Sequence, residues 1–303
     1  MPVVAIFDGF FRSGTTLVWN ILKQSNPDCL VFYEPLKPTL FAEIEAYRAK
    51  VHPLHQLRLF DEYHRCGPGF IHQLQNAHKR YYRNRSAENL CRYLALFHAL
   101  PDRVVLQTNR LGPYFFEVAA ALEPQLYFLI RNLEDVLRSM TTFIDTVYTR
   151  QEKSWKQRIS RGLCRLRNIH PEAMRFGGLP LIECIHDRYG IPRQWTDRAY
   201  RGRIARDPVQ VFVLAWVVYN YVALQASSRL QGVLAYEDLV RSPERFSHCL
   251  QDLRLDTGQV RKQPLDRDKY LSNSSADLVR KLGVQEEYDC IAAAVQAWQE
   301  VHS

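Results

Sequence analysis

The sequence predicts an α/β fold in which a central parallel sheet lies between two layers of helices. Three observations carry that expectation. Short apolar runs of strand length alternate with longer segments of helical period, the pattern of a sheet covered on both faces. The first apolar run turns at Gly9 straight into a glycine-containing turn and then a helix. Glu34 and Arg131 stand at the carboxyl ends of expected strands, the ligand side of a parallel sheet.

In chain order the expected strands are Val3–Phe7, Leu30–Tyr33, Arg103–Gln107, Leu126–Ile130 and Gly232–Tyr236. Helices are expected near Thr15–Gln24, Ala87–Ala99, Tyr114–Leu122, Leu133–Val147, Val209–Ser228 and Pro243–Leu253. The longest apolar run, Val209–Leu224, is broken by Gln210, Tyr219, Asn220 and Tyr221 and falls short of the roughly 20 apolar residues a bilayer requires. It reads as a buried helix, with Trp216 in the core. Residues 50–86, rich in His, Arg and Tyr, and residues 149–206, strongly basic, interrupt the alternation. The chain of 303 residues is therefore read as one domain, 1–303, with two substrate-side insertions at about 50–86 and 149–206.

Composition narrows the function classes. The hydrophobic share of 47% and charged share of 24% are those of a globular enzyme. No transmembrane segment and no secretory leader pattern are found, so a cytoplasmic protein, or a soluble piece of a longer one, is expected. Seven scattered cysteines without a C-x-x-C pair suggest reduced, buried thiols and no metal site. The net charge of +8 favours anionic partners without choosing among them.

The first turn, Gly9-Phe10-Phe11-Arg12-Ser13-Gly14-Thr15-Thr16, carries the chemistry. Its glycines have the spacing of a nucleotide P-loop, and a turn feeding a helix N-terminus aims backbone N–H groups and a positive dipole end at one point. The lysine of a P-loop is missing, however: Thr15 stands in its place, and the nearest cation is Arg12. The turn suits an anion but lacks the equipment for a triphosphate with magnesium. The plainer alternative is a structural turn in which Gly14 relieves strain and Ser13 or Thr15 caps the helix.

Phe11-Arg12-Ser13-Gly14-Thr15-Thr16-Leu17 resembles the 5′-phosphosulfate loop of sulfotransferases that use 3′-phosphoadenosine 5′-phosphosulfate (PAPS). Leu129-Ile130-Arg131 through Ser139 is similar to the same family's 3′-phosphate motif, an Arg ending a strand with a Ser eight positions later. Tyr236-Glu237-Asp238-Leu239 bears a weaker likeness to a Tyr-Glu-Asp-Leu strand end. The resemblance implies a P-loop-like three-layer αβα fold, PAPS as co-substrate and no metal. It implies cofactor binding by Arg12, Ser13, Gly14, Thr15, Thr16, Arg131 and Ser139. Independently of the name, Asn132 can cap the helix after Arg131, with Glu134 and Asp135 in its first turn.

Sulfuryl transfer is an in-line displacement at sulfur. The acceptor must lose a proton and the leaving phosphate must be neutralised. Arg12 and the N–H groups of Ser13 to Thr16 are assigned the second task. For the first, the histidine of cytosolic small-molecule sulfotransferases is absent, since the matching segment is Gln107-Thr108-Asn109-Arg110. Phe32-Tyr33-Glu34-Pro35-Leu36 instead resembles the Tyr-Glu-Pro-Leu of carbohydrate sulfotransferases, which makes Glu34 the candidate base. The alternative for Glu34 is a carboxylate that holds Lys37 or an arginine in place. His52, His55, His64, His72, His78 and His98 stand as backups, and Arg110 as an acceptor-side or structural residue.

Arg150, Lys153, Lys156, Arg158, Arg161, Arg165 and Arg167 line one side of an expected amphipathic helix. That face could recruit an anionic glycan, make peripheral contact with a membrane to reach a glycolipid, or simply be solvated. The expected partner is thus an acceptor such as a carbohydrate or glycolipid, not nucleic acid. Competing readings are a P-loop-type nucleotide kinase and a non-catalytic binder of anionic polymer.

Overall fold

Five apolar runs become strands: β1 (Val3–Gly9), β2 (Cys29–Tyr33), β3 (Arg103–Gln107), β4 (Gln125–Ile130) and β5 (Gly232–Ala235). The computed structural model describes residues 3–52, 55–111, 114–148, 208–241, 246, 250 and 275–301. Among them the strands form one sheet in the order β2-β3-β1-β4-β5, every pair parallel. Parallel strands are covered on both faces, which is why each reads as a nearly unbroken apolar run. Their side chains are almost all buried.

The two faces follow from the alternation along each strand. Tyr33 of β2 points to the face covered by α1 (Thr15–Ser25), where its ring meets Trp19 at 5.4 Å. Trp19 anchors there by donating its indole N–H to the Val31 carbonyl at 2.8 Å. The preceding residue, Phe32, points the other way and meets Tyr63, Phe70 and Phe97. Those three belong to α3 (Asp61–Arg65), α4 (Gly67–Arg83) and α5 (Ala87–His98), following α2 (Leu40–Ala46) in the chain. On the same face as Phe32, Phe115 of α6 (Phe115–Leu122) packs on Phe128 of β4. The expected α/β class, a parallel sheet between helical layers, is what the structure has.

Boundaries differ from expectation in instructive places. β1 runs on through Asp8 and Gly9, which stay in register with Phe128 and Leu129 of β4. Tyr236, expected to close the fifth strand, instead opens α9 (Tyr236–Arg241). Residues 50–86, expected to interrupt the alternation with only weak periodicity, hold α3 and α4. The expected helix at Pro243–Leu253 lies outside the described residues apart from Phe246 and Leu250, both buried. The basic segment, 149–206, lies outside them altogether.

Helices α7 (Leu133–Tyr148), α8 (Pro208–Gln225), α10 (Ser275–Leu282) and most of α11 (Gln285–Val301) make a second compact unit. Within it α8 packs against α7 and α10. Trp216 of α8 is buried, as expected, with its ring 5.9 Å from Tyr288. No helix among the described residues is long and apolar enough to cross a membrane.

Candidate active site

Strand order alone marks a site. From β1 the chain moves outward to β2, returns to β3 beside β1, then crosses to β4 on β1's other flank. Where the connections part in opposite directions a crevice opens outside the carboxyl ends of the strands. The turn after β1 occupies that position.

That turn is held from several sides. Arg12 has φ +68°, and Gly14, the residue before α1, has φ +91°. The N–H of Ser13 is donated to the Phe10 carbonyl at 3.0 Å, so it is not available to an anion, contrary to expectation. Leu17 and Val18 both donate to the Gly14 carbonyl, at 2.9 and 3.2 Å. The N–H groups of Gly14, Thr15 and Thr16 take no backbone partner among the described residues. Among the described residues no side chain caps α1, so the plain alternative of a Ser13 or Thr15 cap is not what the turn does. Instead the Ser13 hydroxyl is fully buried and has no hydrogen-bond partner among the described residues. A buried, unsatisfied hydroxyl is costly unless a ligand or water completes it. Three backbone donors, one orphaned hydroxyl, Arg12 and the positive end of an 11-residue helix together fit a phosphate group.

Both glycines are demanded by close approach. A Cβ on Gly9 would lie 2.5 Å from the Leu129 carbonyl oxygen, and one on Gly14 2.1 Å from the ring of Tyr236. The Tyr-Glu-Asp-Leu similarity thereby gains a physical content: Tyr236, the first residue of α9, roofs the turn.

Glu34 follows β2 and adopts φ +43°, a left-handed conformation uncommon for a residue with a side chain. Four neighbouring carbonyls are held by side chains. Tyr63 donates to the Tyr33 carbonyl at 3.0 Å, Tyr93 to Pro35 at 2.7 Å, Tyr82 to Leu36, and His78 bonds Lys37 at 3.0 Å. Strained backbone persists where its surroundings over-determine it, and here α3, α4 and α5 do so. Burial pushes the His78 imidazole down to about 4, so it is neutral near pH 7.

The Glu34 carboxylate itself is nearly buried, at 8% exposure. Asn109 donates to its Oε1 at 2.9 Å, and Oε2 lies 3.6 Å from Arg110 and 4.0 Å from Lys37. Lys37 has a closer partner in Glu43, at 2.8 Å, so fixing Lys37 is not Glu34's main role. Arg110 also donates to the Asn109 side-chain oxygen and lays its guanidinium over the Phe11 ring, 4.7 Å from the centroid. Glu34 and the phosphate-type turn are thus linked through Arg110 and Phe11. Asn109 and Arg110 were not expected beside Glu34. The signal was their place after β3, since Gln107 is in register with Tyr33 and the two strand ends must meet.

Tyr33 makes a second link. Its hydroxyl is 3.1 Å from Thr16 Oγ1 and 3.4 Å from His55 Nε2. Burial first, and His52 second, push His55 down to about 4. Burial also raises the Tyr33 phenol well above its ordinary value.

Arg131 and Ser139 belong to the second unit. Arg131 follows the last residue of β4, and Ser139 lies in α7, about two turns from its start. Asn132 caps this helix as expected: its side-chain oxygen accepts from the Glu134 N–H at 2.8 Å, and its carbonyl from Val136 at 3.1 Å.

No protein-family model matches the chain. A protein of Archaeoglobus fulgidus, described only as uncharacterized, is 23% identical over 309 residues, covering 92% of this chain and 94% of its own. Among solved structures, a sulfotransferase from Alicyclobacillus acidocaldarius aligns with a TM-score of 0.46 at 16% identity, covering 99% of each chain. The sulfotransferase domain from the curacin biosynthetic pathway aligns with a TM-score of 0.44 at 12% identity, over 93% of this chain and 98% of its own.

Proposed function

We propose that this protein transfers the sulfuryl group of PAPS to a hydroxyl or amine of an acceptor, in the class of carbohydrates or glycolipids. The observation that carries the reading is the turn after β1, where among the described residues the N–H groups of Gly14, Thr15 and Thr16 have no backbone partner and the buried Ser13 hydroxyl has none at all, while a P-loop would also need its lysine. Those donors fit one phosphate group without a metal.

When bound, PAPS supplies an activated sulfuryl group on a phosphate leaving oxygen. Arg12, the three N–H groups and the Ser13 hydroxyl neutralise that 5′-phosphate. Arg131 and Ser139 hold the 3′-phosphate. Glu34 takes the acceptor's proton, and Asn109 and Arg110 hold its carboxylate in a fixed orientation as it does so. The left-handed backbone at Glu34 belongs to the same device, because it sets the direction in which the carboxylate leaves the strand end.

The test is calorimetric titration of 3′,5′-adenosine bisphosphate into the wild type and Arg131→Ala, with ATP–magnesium as the comparison. Micromolar binding of the bisphosphate, weak binding of ATP and a clear loss in Arg131→Ala are expected, followed by transfer from labelled PAPS in an acceptor screen. Preference for ATP–magnesium would replace this reading with a nucleotide kinase. Binding of neither nucleotide would leave the turn a structural one.

A further inference from the structure

We infer that His55, acting through the Tyr33 hydroxyl, sets the direction of the Thr16 hydroxyl and so decides whether the loop presents Thr16 to a phosphate as a donor or as an acceptor. The inference rests on the phosphate-binding reading of the loop and adds positioning residues to it.

The three groups form a chain, with Thr16 Oγ1 3.1 Å from Tyr33 Oη and Tyr33 Oη 3.4 Å from His55 Nε2. Each hydroxyl has a single hydrogen, and when the Tyr33 hydrogen stays within the chain instead of going to the neighbouring Glu34 carboxylate, the chain runs in one of two directions. In the first, Thr16 donates to Tyr33 and Tyr33 donates to an unprotonated His55 Nε2. The only hydrogen on Thr16 is then spent, and its lone pairs face the anion site. In the second, the His55 Nε2–H donates to Tyr33, Tyr33 donates to Thr16, and the Thr16 hydrogen is left for a phosphate oxygen. A bound anion selects the second direction, and successive bonds of one sense polarise each other.

His55 is able to choose because it is neutral near pH 7, and a neutral imidazole carries its proton on either nitrogen. The groups that act on it are His52 from its own turn, Arg12 from the loop, and Glu34 and Lys37 from the end of β2. Arg12, Lys37 and His52 disfavour a second proton on the ring, while Glu34 favours one. The tautomer is therefore the available switch. The turn that carries His55 is fixed by the Gln56 N–H to the His52 carbonyl and the His52 N–H to the Leu57 carbonyl, both at 2.8 Å.

The experiment uses the full chain, labelled with ¹⁵N in histidine, and 3′,5′-adenosine bisphosphate as the probe. A two-bond ¹H–¹⁵N spectrum distinguishes a protonated from an unprotonated ring nitrogen. Saturating bisphosphate is expected to leave His55 Nε2 protonated. By calorimetry, Thr16→Val is expected to lose roughly tenfold in affinity and Tyr33→Phe roughly threefold. Tyr33→Phe should have no further effect in the Thr16→Val background, because the donor it orients is already gone. His55→Gln, which keeps a donor near Nε2, should bind within about twofold of wild type, and His55→Leu should match Tyr33→Phe. Independent, additive losses from Tyr33→Phe and Thr16→Val would overturn the inference, as would an unprotonated Nε2 in the bound protein. If the wild type binds no bisphosphate, the phosphate reading fails and takes this one with it. If the wild type binds but Nε2 is unprotonated in the bound protein, the positioning chain alone falls.

Discussion

Replacing Gly14 with alanine tests the geometry of the loop through two separable penalties. The first is conformational: at φ +91° an L residue is strained, and the left-handed region costs about 1–2 kcal/mol. The second is steric. The new Cβ would lie 2.1 and 2.3 Å from Cδ2 and Cε2 of Tyr236, where an ordinary carbon contact is about 3.5–4.0 Å. The ring, itself 8% exposed, would have to move by more than an ångström, at the overpacking cost of about 1–3 kcal/mol. Together they remove about 2–5 kcal/mol, a large share of the 5–15 kcal/mol typical of a folded domain. Urea unfolding of wild type, Gly14→Ala, Tyr236→Ala and the double variant separates the two. With Tyr236 truncated, Gly14→Ala should cost only the backbone part, leaving a coupling of about 1–3 kcal/mol in the cycle. A Gly14→Ala variant within about 0.5 kcal/mol of wild type would refute both parts of the reasoning. An equal cost in both backgrounds would refute the roofing role of Tyr236.

Three further outcomes are expected. Glu34→Gln should lower transfer from labelled PAPS by about 10²–10⁴-fold, the range of a general base, with bisphosphate affinity within about threefold of wild type; turnover within about fivefold would remove Glu34 from that role. Tyr93→Phe leaves the buried Pro35 carbonyl without its 2.7 Å donor and should cost about 1–3 kcal/mol in urea unfolding, and kcat should fall more than KM changes if the strand-end loop positions Glu34. His78 has a folded value of about 4 against an ordinary 6.5, so the unfolded chain binds the extra proton in that window and stability falls as pH drops from about 6.5 towards 4. The difference between wild type and His78→Gln should shrink across that window, by at most about 3 kcal/mol, and a difference independent of pH would rule out this linkage.

What could be read in the sequence, and what could not, divides along a physical line. Parallel strands bury both faces, so β2, β3 and β4 announced themselves as apolar runs to within a residue of their observed ends. Asn132 was legible because an N-cap is a local device, complete within a few residues. Helices α3 and α4 were not. Their buried residues include Tyr63, His78 and Tyr81. Tyr63, His78 and their neighbour Tyr82 spend their polar tips on carbonyls of a distant loop. Counted as polar in a pattern, such residues hide a core-facing stripe that only their partners reveal. The end of β1 was missed for a related reason: Asp8 is fully buried, with its carboxylate accepting the Leu111 N–H at 3.1 Å.

The same partners explain why the segment 50–86 reads as an interruption and yet is needed. Glu34 has no glycine's freedom, and its left-handed backbone carries a strain of about 1–3 kcal/mol that local sequence does nothing to relieve. An unconstrained loop would relax into an ordinary conformation and swing the carboxylate away from Asn109. The hydroxyls of Tyr63, Tyr82 and Tyr93 and the ring of His78 hold carbonyls 33, 36, 35 and 37, two of them immediately flanking Glu34. At a net value of about 1 kcal/mol each, four such bonds are enough to offset the strain. None of these four residues has to touch a ligand for its loss to be felt in turnover. It follows that damage from substitutions at Tyr63, His78, Tyr82 and Tyr93 should converge on the orientation of Glu34, leaving the phosphate-type turn and its affinity for nucleotide largely intact.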